Sequence, residues 1–138
     1  MAGWCNGSAG FVHLWTAAHR MLRVEEYGVL AERAGLDAWE SEDAIGSLCC
    51  GFAGQAYALL SLYKHTDDKT WLHRAQAQAQ KAARSFLERS PGGEGNEPGG
   101  QAESLYKGKL GVAVLAAELE RPEFAAMPFF ESGGTGAI

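Results

Sequence analysis

The chain repeats one spacing of glycine three times, in Gly7-Ser8-Ala9-Gly10, Gly51-Phe52-Ala53-Gly54 and Gly108-Lys109-Leu110-Gly111. Each pair opens an apolar stretch rich in Ala and Leu, over residues 11–22, 52–63 and 112–119. Few charges interrupt these stretches, so each reads as an inner helix buried on most of its surface. Residues 25–34 and 70–89 are more polar. In the second of them Trp71, Ala75, Ala79, Ala82 and Phe86 recur at spacings of three and four, the mark of an outer helix wet on one side. Inner and outer helices in alternation predict an all-α chain of stacked helical hairpins curving into a solenoid or a partial ring. No segment alternates β-branched residues with a period of two, and the Gly/Pro-rich residues 91–100 read as a loop lengthening the third repeat. Roughly three hairpins are near the minimum for a stable stack and too few to close a ring. An exposed apolar edge is expected, met by self-association or by further repeats on the N-terminal side.

Composition sets limits on partners. At 138 residues and 46% apolar content, the chain has the size of one domain and can bury a core without disulfides. Its formal charge of -5 contains no basic run suited to a phosphate backbone, which argues against nucleic acid. No apolar stretch approaches the roughly 20 residues of a membrane span, and residues 1–4 do not read as a signal peptide. A cytoplasmic protein is expected.

All three cysteines stand just before a glycine pair. Cys5 and Cys49 lie two residues ahead of Gly7 and Gly51, Cys50 lies one ahead, and the third repeat has Tyr106 and Lys107 in those positions. Equivalent positions in neighbouring hairpins face the same end of the stack, so Cys5 and Cys49 can converge, with Cys50 completing a set of three. Three thiolates at helix N-termini can hold a soft divalent ion and leave a fourth position open. The alternative is that they are small apolar fillers, since free cysteine is often buried and Cys-x-x-Cys spacing is absent. Other candidates at such a site are Trp4, as a pocket wall or as plain packing, Asn6 as a donor to sulfur or a helix cap, His13 eight residues after Cys5, which more often marks a packing residue, and Lys107. Glu40, Glu42 and Asp43 read as a solvated acidic loop, and His19, His65 and His73 as surface groups without a role.

The segments Trp4 to Gly10, Cys49 to Gly54 and Lys107 to Gly111, with the closing Met127-Pro128-Phe129-Phe130-Glu131, resemble the lanthionine cyclase family, the LanC-like proteins and the cyclase domains of fused lanthipeptide synthetases. The resemblance implies a partial (α/α) toroid over residues 1–131, followed by a flexible tail at 132–138. It implies Zn2+ held by Cys5, Cys49 and Cys50, with Cys50 standing where many members have histidine. It implies thiol addition of a peptide cysteine to dehydroalanine or dehydrobutyrine in a dehydrated precursor peptide, or addition of glutathione to dehydroamino acids. The family's acid/base residues lie upstream of the first cysteine ligand, so no catalytic residue is assignable here. The chain therefore matches a C-terminal part of a cyclase domain. A zinc- or peptide-binding remnant and a metal-free helical scaffold are the rival readings.

Overall fold

A computed structural model describes residues 2–42, 45–88 and 103–131. Among them are five helices and no strand: α1 (Ser8–Leu22), α2 (Glu25–Glu40), α3 (Phe52–Thr66), α4 (Lys69–Leu87) and α5 (Lys109–Glu118). The loop expected at 91–100, the tail expected at 132–138 and Asp43 lie outside the described residues.

The first two repeats are copies at the level of the backbone. After α1, Arg23 takes a left-handed conformation (φ 56°) and its N–H donates to the His19 carbonyl, while Val24 is extended and starts α2. After α3, Asp67 does the same (φ 59°) toward the Tyr63 carbonyl, and Asp68 is extended and starts α4. A left-handed residue followed by an extended one folds each pair into a tight hairpin without using glycine. In α4 the Asp68 carboxylate also accepts the Thr70 N–H at 2.8 Å, satisfying one of the free donors of the first turn. The first glycine of each pair, Gly7, Gly51 or Gly108, is the N-cap of α1, α3 or α5, without any side-chain cap.

The second glycine has a different and stricter task. A Cβ at Gly10 would overlap the Trp4 carbonyl oxygen, one at Gly54 that of Leu48, and one at Gly111 that of Leu105. In every repeat the loop before the helix thus folds back with its carbonyl against the first turn, an approach open only to a residue with no side chain.

Helix α3 is the centre of the molecule, packing on α1, α2, α4 and α5. Residues 53–62 are all buried, and Tyr57, Leu59, Leu60 and Leu62 are among the largest core side chains. The other two inner helices depart from the sequence expectation. Phe11 and Leu14 of α1 are about half exposed, and α5 buries only Gly111, Val112 and Leu115. Burial on most of a helix surface requires a neighbour on each side, and among the described residues only α3 has both. Among the described residues the third repeat contributes its inner helix alone, so the stack consists of two hairpins and α5. After α5 the described chain makes short turns over residues 121–124 instead of an outer helix, and returns toward α1 and α3. On that return Lys64 Nζ donates to the Ala125 carbonyl at 2.6 Å, and the Tyr57 hydroxyl donates at 2.6 Å to Glu118, which also accepts the Ala126 N–H. No helix of the described residues is long and apolar enough to cross a membrane.

Candidate metal centre

The three loops before α1, α3 and α5 lie side by side. Trp4 and Cys5 donate their N–H groups to the Cys49 carbonyl at 2.9 and 3.3 Å, and Cys49 N–H donates to the Tyr106 carbonyl at 2.9 Å. Cys5, Cys49 and Tyr106 are the residues two ahead of the first glycine in their repeats, so the bonds link like to like. This backbone ladder, backed by the carbonyl-on-glycine contacts, brings residues 44 positions apart to one end of the helix stack.

It also brings the sulfurs together. Cys50 Sγ lies 3.4 Å from Cys5 Sγ and 3.4 Å from Cys49 Sγ, and all three fall within 4.8 Å of one another. A tetrahedral zinc with Zn–S bonds of about 2.3 Å has sulfurs about 3.8 Å apart, so the triad has the dimensions of one face of such a site. Three sulfurs and no oxygen form a soft donor set, the kind that selects zinc over magnesium or calcium. Cys5 and Cys50 are exposed and Cys49 half-buried, which leaves the outer side open.

The helix N-termini do not ionise all three thiols, contrary to the simple expectation. Burial first, then hydrogen bonding and repulsion from the other two thiols, pushes Cys49 up to about 12, and burial also raises Cys50. Cys5 alone is lowered, chiefly by the Cys49 thiol hydrogen bond, with a smaller push from the Lys107 ammonium. A second and third thiolate in this space need a compensating cation, as a metal site does.

The remaining candidates fall into two groups. Trp4 stands beside the triad, stacked on Tyr106 (centroids 5.8 Å) and edge-on to Phe130 (5.3 Å). With Cys5, Asn6, Phe11, Leu14 and Phe130 it walls a cavity of about 530 Å³. Asn6 lines this cavity too, but the helix cap suggested for it belongs to Gly7. Lys107 is exposed and near enough to favour the thiolates of Cys5 and Cys50. His13 is drawn elsewhere. Its ring is buried, lies edge-on to Phe130 at 5.4 Å, and places Nδ1 3.6 Å from Glu131 Oε1. That separation is too long for a hydrogen bond, and neither ring nitrogen has another partner among the described residues.

Several neighbours were not anticipated from the sequence. Phe130 joins Trp4 to His13, and Glu131 accepts hydrogen bonds from Ser61 Oγ (3.3 Å) and the Met127 N–H (3.0 Å) while lying 3.7 Å from Lys64 Nζ. The unusual Phe-Phe-Glu after Pro128 was the available signal. His19 and His65, read as surface groups, are both partly buried, with His19 Nδ1 and His65 Nε2 only 2.8 Å apart. His73, by contrast, is exposed.

A protein-family model described as "Lanthionine synthetase C-like protein" matches residues 1–132. Among curated proteins the chain is 32% identical over 131 residues to "Glutathione S-transferase LANCL1" of Danio rerio, covering 93% of this chain and 31% of that protein. It is 31% identical over 134 residues to "LanC-like protein GCL1" of Arabidopsis thaliana, covering 93% of this chain and 30% of that one. The chain therefore spans about a third of the length of these relatives.

Proposed function

The chain belongs to the lanthionine synthetase C-like family, and from that membership and the thiol triad we propose that it carries the zinc-holding part of an enzyme that forms thioether bonds. In this reading residues 1–131 correspond to the C-terminal part of a cyclase domain, and Cys5, Cys49 and Cys50 hold the metal. The reaction adds a peptide cysteine thiol to dehydroalanine or dehydrobutyrine. The relative named as a glutathione S-transferase favours glutathione as a second thiol donor for the same chemistry. The single observation behind the proposal is the convergence of three sulfurs from two repeats within 4.8 Å of one another, with an open side toward a cavity.

When bound, zinc supplies the positive charge that keeps an incoming thiol ionised at neutral pH. The chain's own residues position that charge and shape its surroundings. The sulfurs of Cys5, Cys49 and Cys50 fix the position of the charge, and Lys107 adds a second positive group at its rim. Trp4, Phe11, Leu14 and Phe130 offer an apolar wall that displaces water around the thiol and its acceptor.

Elemental analysis of purified protein tests the assignment. The expected result is about one zinc per chain, lost in Cys49→Ala and in the triple cysteine-to-alanine variant. Undiminished metal content in the triple variant removes the site, and absence of zinc under reducing conditions leaves a helical scaffold.

A further inference from the structure

A second and larger cavity, of about 760 Å³, lies between the C-terminal halves of α1 and α3 and the turns that follow α5. Its lining runs against the charge of the whole chain. The chain is formally -5, yet Arg20, Arg23 and Lys64 meet only Glu123 and Glu131 here. Glu131 is already engaged by Lys64, Ser61 and the Met127 amide. That leaves Arg20 and Arg23, exposed and with side chains that make no ion pair among the described residues, opposite the single carboxylate of Glu123.

The His19–His65 pair stands beside these guanidiniums. Its 2.8 Å separation requires a donor–acceptor contact between the rings. His19 packs against the backbone at Gly28, where a Cβ would press on its ring, and its Nε2 lies 3.7 Å from the exposed Glu25 carboxylate. Two convergent imidazoles suggest a metal, but burial, His19 and the Arg20 guanidinium already hold the His65 pKa below its usual value. Arg20, Arg23 and Lys64 line the same cavity, and their charges oppose a dication and favour an anion.

Basic residues in the last turns of α1 and α3 also answer the helix dipoles, which needs no ligand. That role does not account for two unpaired guanidiniums and an imidazole pair around one cavity, nor for its other wall, which is apolar through Leu14, Ala17 and Phe130. Guanidinium forks match carboxylates in geometry, and an apolar wall opposite suits an organic molecule better than an inorganic ion.

We propose that this cavity binds a small organic carboxylate, held at its acid end by Arg20 and Arg23 with the one N–H left free by the His19–His65 pair as a further donor, and packed along Leu14 and Phe130. Leu14 and Phe130 also wall the cavity at Cys5.

The probe is the alanine analogue of glutathione, γ-glutamyl-alanyl-glycine, which keeps both carboxylates and has no thiol. Its binding is therefore read independently of whether the triad holds zinc. Titration calorimetry on the full chain is expected to show binding that weakens about tenfold or more in Arg20→Gln/Arg23→Gln, the loss of two charge-assisted contacts. The imidazole proton resonances of His19 and His65 in the unaltered chain are expected to shift on addition of the analogue. No binding at millimolar analogue, equal affinity in the double variant, unshifted histidine resonances, or inorganic phosphate binding as tightly as the analogue would each overturn the assignment.

Discussion

Glu131 ties the end of the described chain to two helices, through Ser61 and Lys64 of α3 and His13 of α1. Burial opposes its ionisation, but the His13 ring, the Lys64 ammonium and the Met127 N–H outweigh burial and lower its pKa to about 2 from 4.5. A carboxylate with a depressed pKa stabilises the fold above pH 4.5, and that contribution disappears as the pH falls from 4.5 toward 2. Urea unfolding at several pH values is expected to show Glu131→Gln less stable than the parent at pH 7 and nearly equal to it near pH 2; a constant difference across the range refutes the linkage. Residues of this kind were hard to foresee. Cys5, Cys49 and Cys50 stood out because their register repeats, whereas Glu131 acquires its partners from helices some 70 and 118 positions earlier, and no local pattern marks such a pairing. His13 shows the same limit, since its spacing from Cys5 does not reveal that Phe130 and Glu131 claim its ring.

At the level of elements, glycine pairs and apolar patterning located the five helices of the described residues. The boundaries differ from the patterning for local reasons: α1 begins at Ser8 because Gly7 is its cap, and α2 runs on to Glu40, burying Gly35 and Ala38 beyond the expected 25–34. The α3–α4 contact contains a feature that patterning did not single out. Gln78 and Gln55 are both fully buried, and Gln78 Nε2 donates to Gln55 Oε1 at 2.9 Å. The other half of each amide has no partner among the described residues. Gln78→Ala strands the Gln55 amide in the core and is expected to cost about 2 to 3 kcal/mol in urea unfolding, from the unpaired polar group and the cavity together. The double change Gln55→Met/Gln78→Met keeps the volume, removes the polar atoms and is expected to cost about 1 kcal/mol or less. If the double variant is the less stable of the two, the amide pair contributes more than this account allows.

For the whole molecule, the row of exposed apolar side chains is the most consequential property. Met21 is 81% exposed, Leu22 62%, Phe11 53% and Leu14 51%, all on α1, and Phe129 near the end of the described chain is 94% exposed. Apolar surface in this amount on one helix drives association. Light scattering over a concentration series is expected to show mass rising above that of one chain, with less rise in Met21→Glu/Phe129→Ser; a monodisperse monomer at high concentration refutes it. The amino-acid sequence by itself determined the all-α class, the hairpin repeat and the register of the three thiols, because glycine spacing and apolar periodicity act within a few residues of chain. Tertiary structure alone decided which inner helix is enclosed, that the returning segment 125–131 seals His13 and supplies Phe130, and that His19 meets His65 beside two guanidiniums with no ion pair among the described residues. Those outcomes depend on contacts between distant segments, where close packing and the pairing of buried polar groups, not local pattern, select the partners.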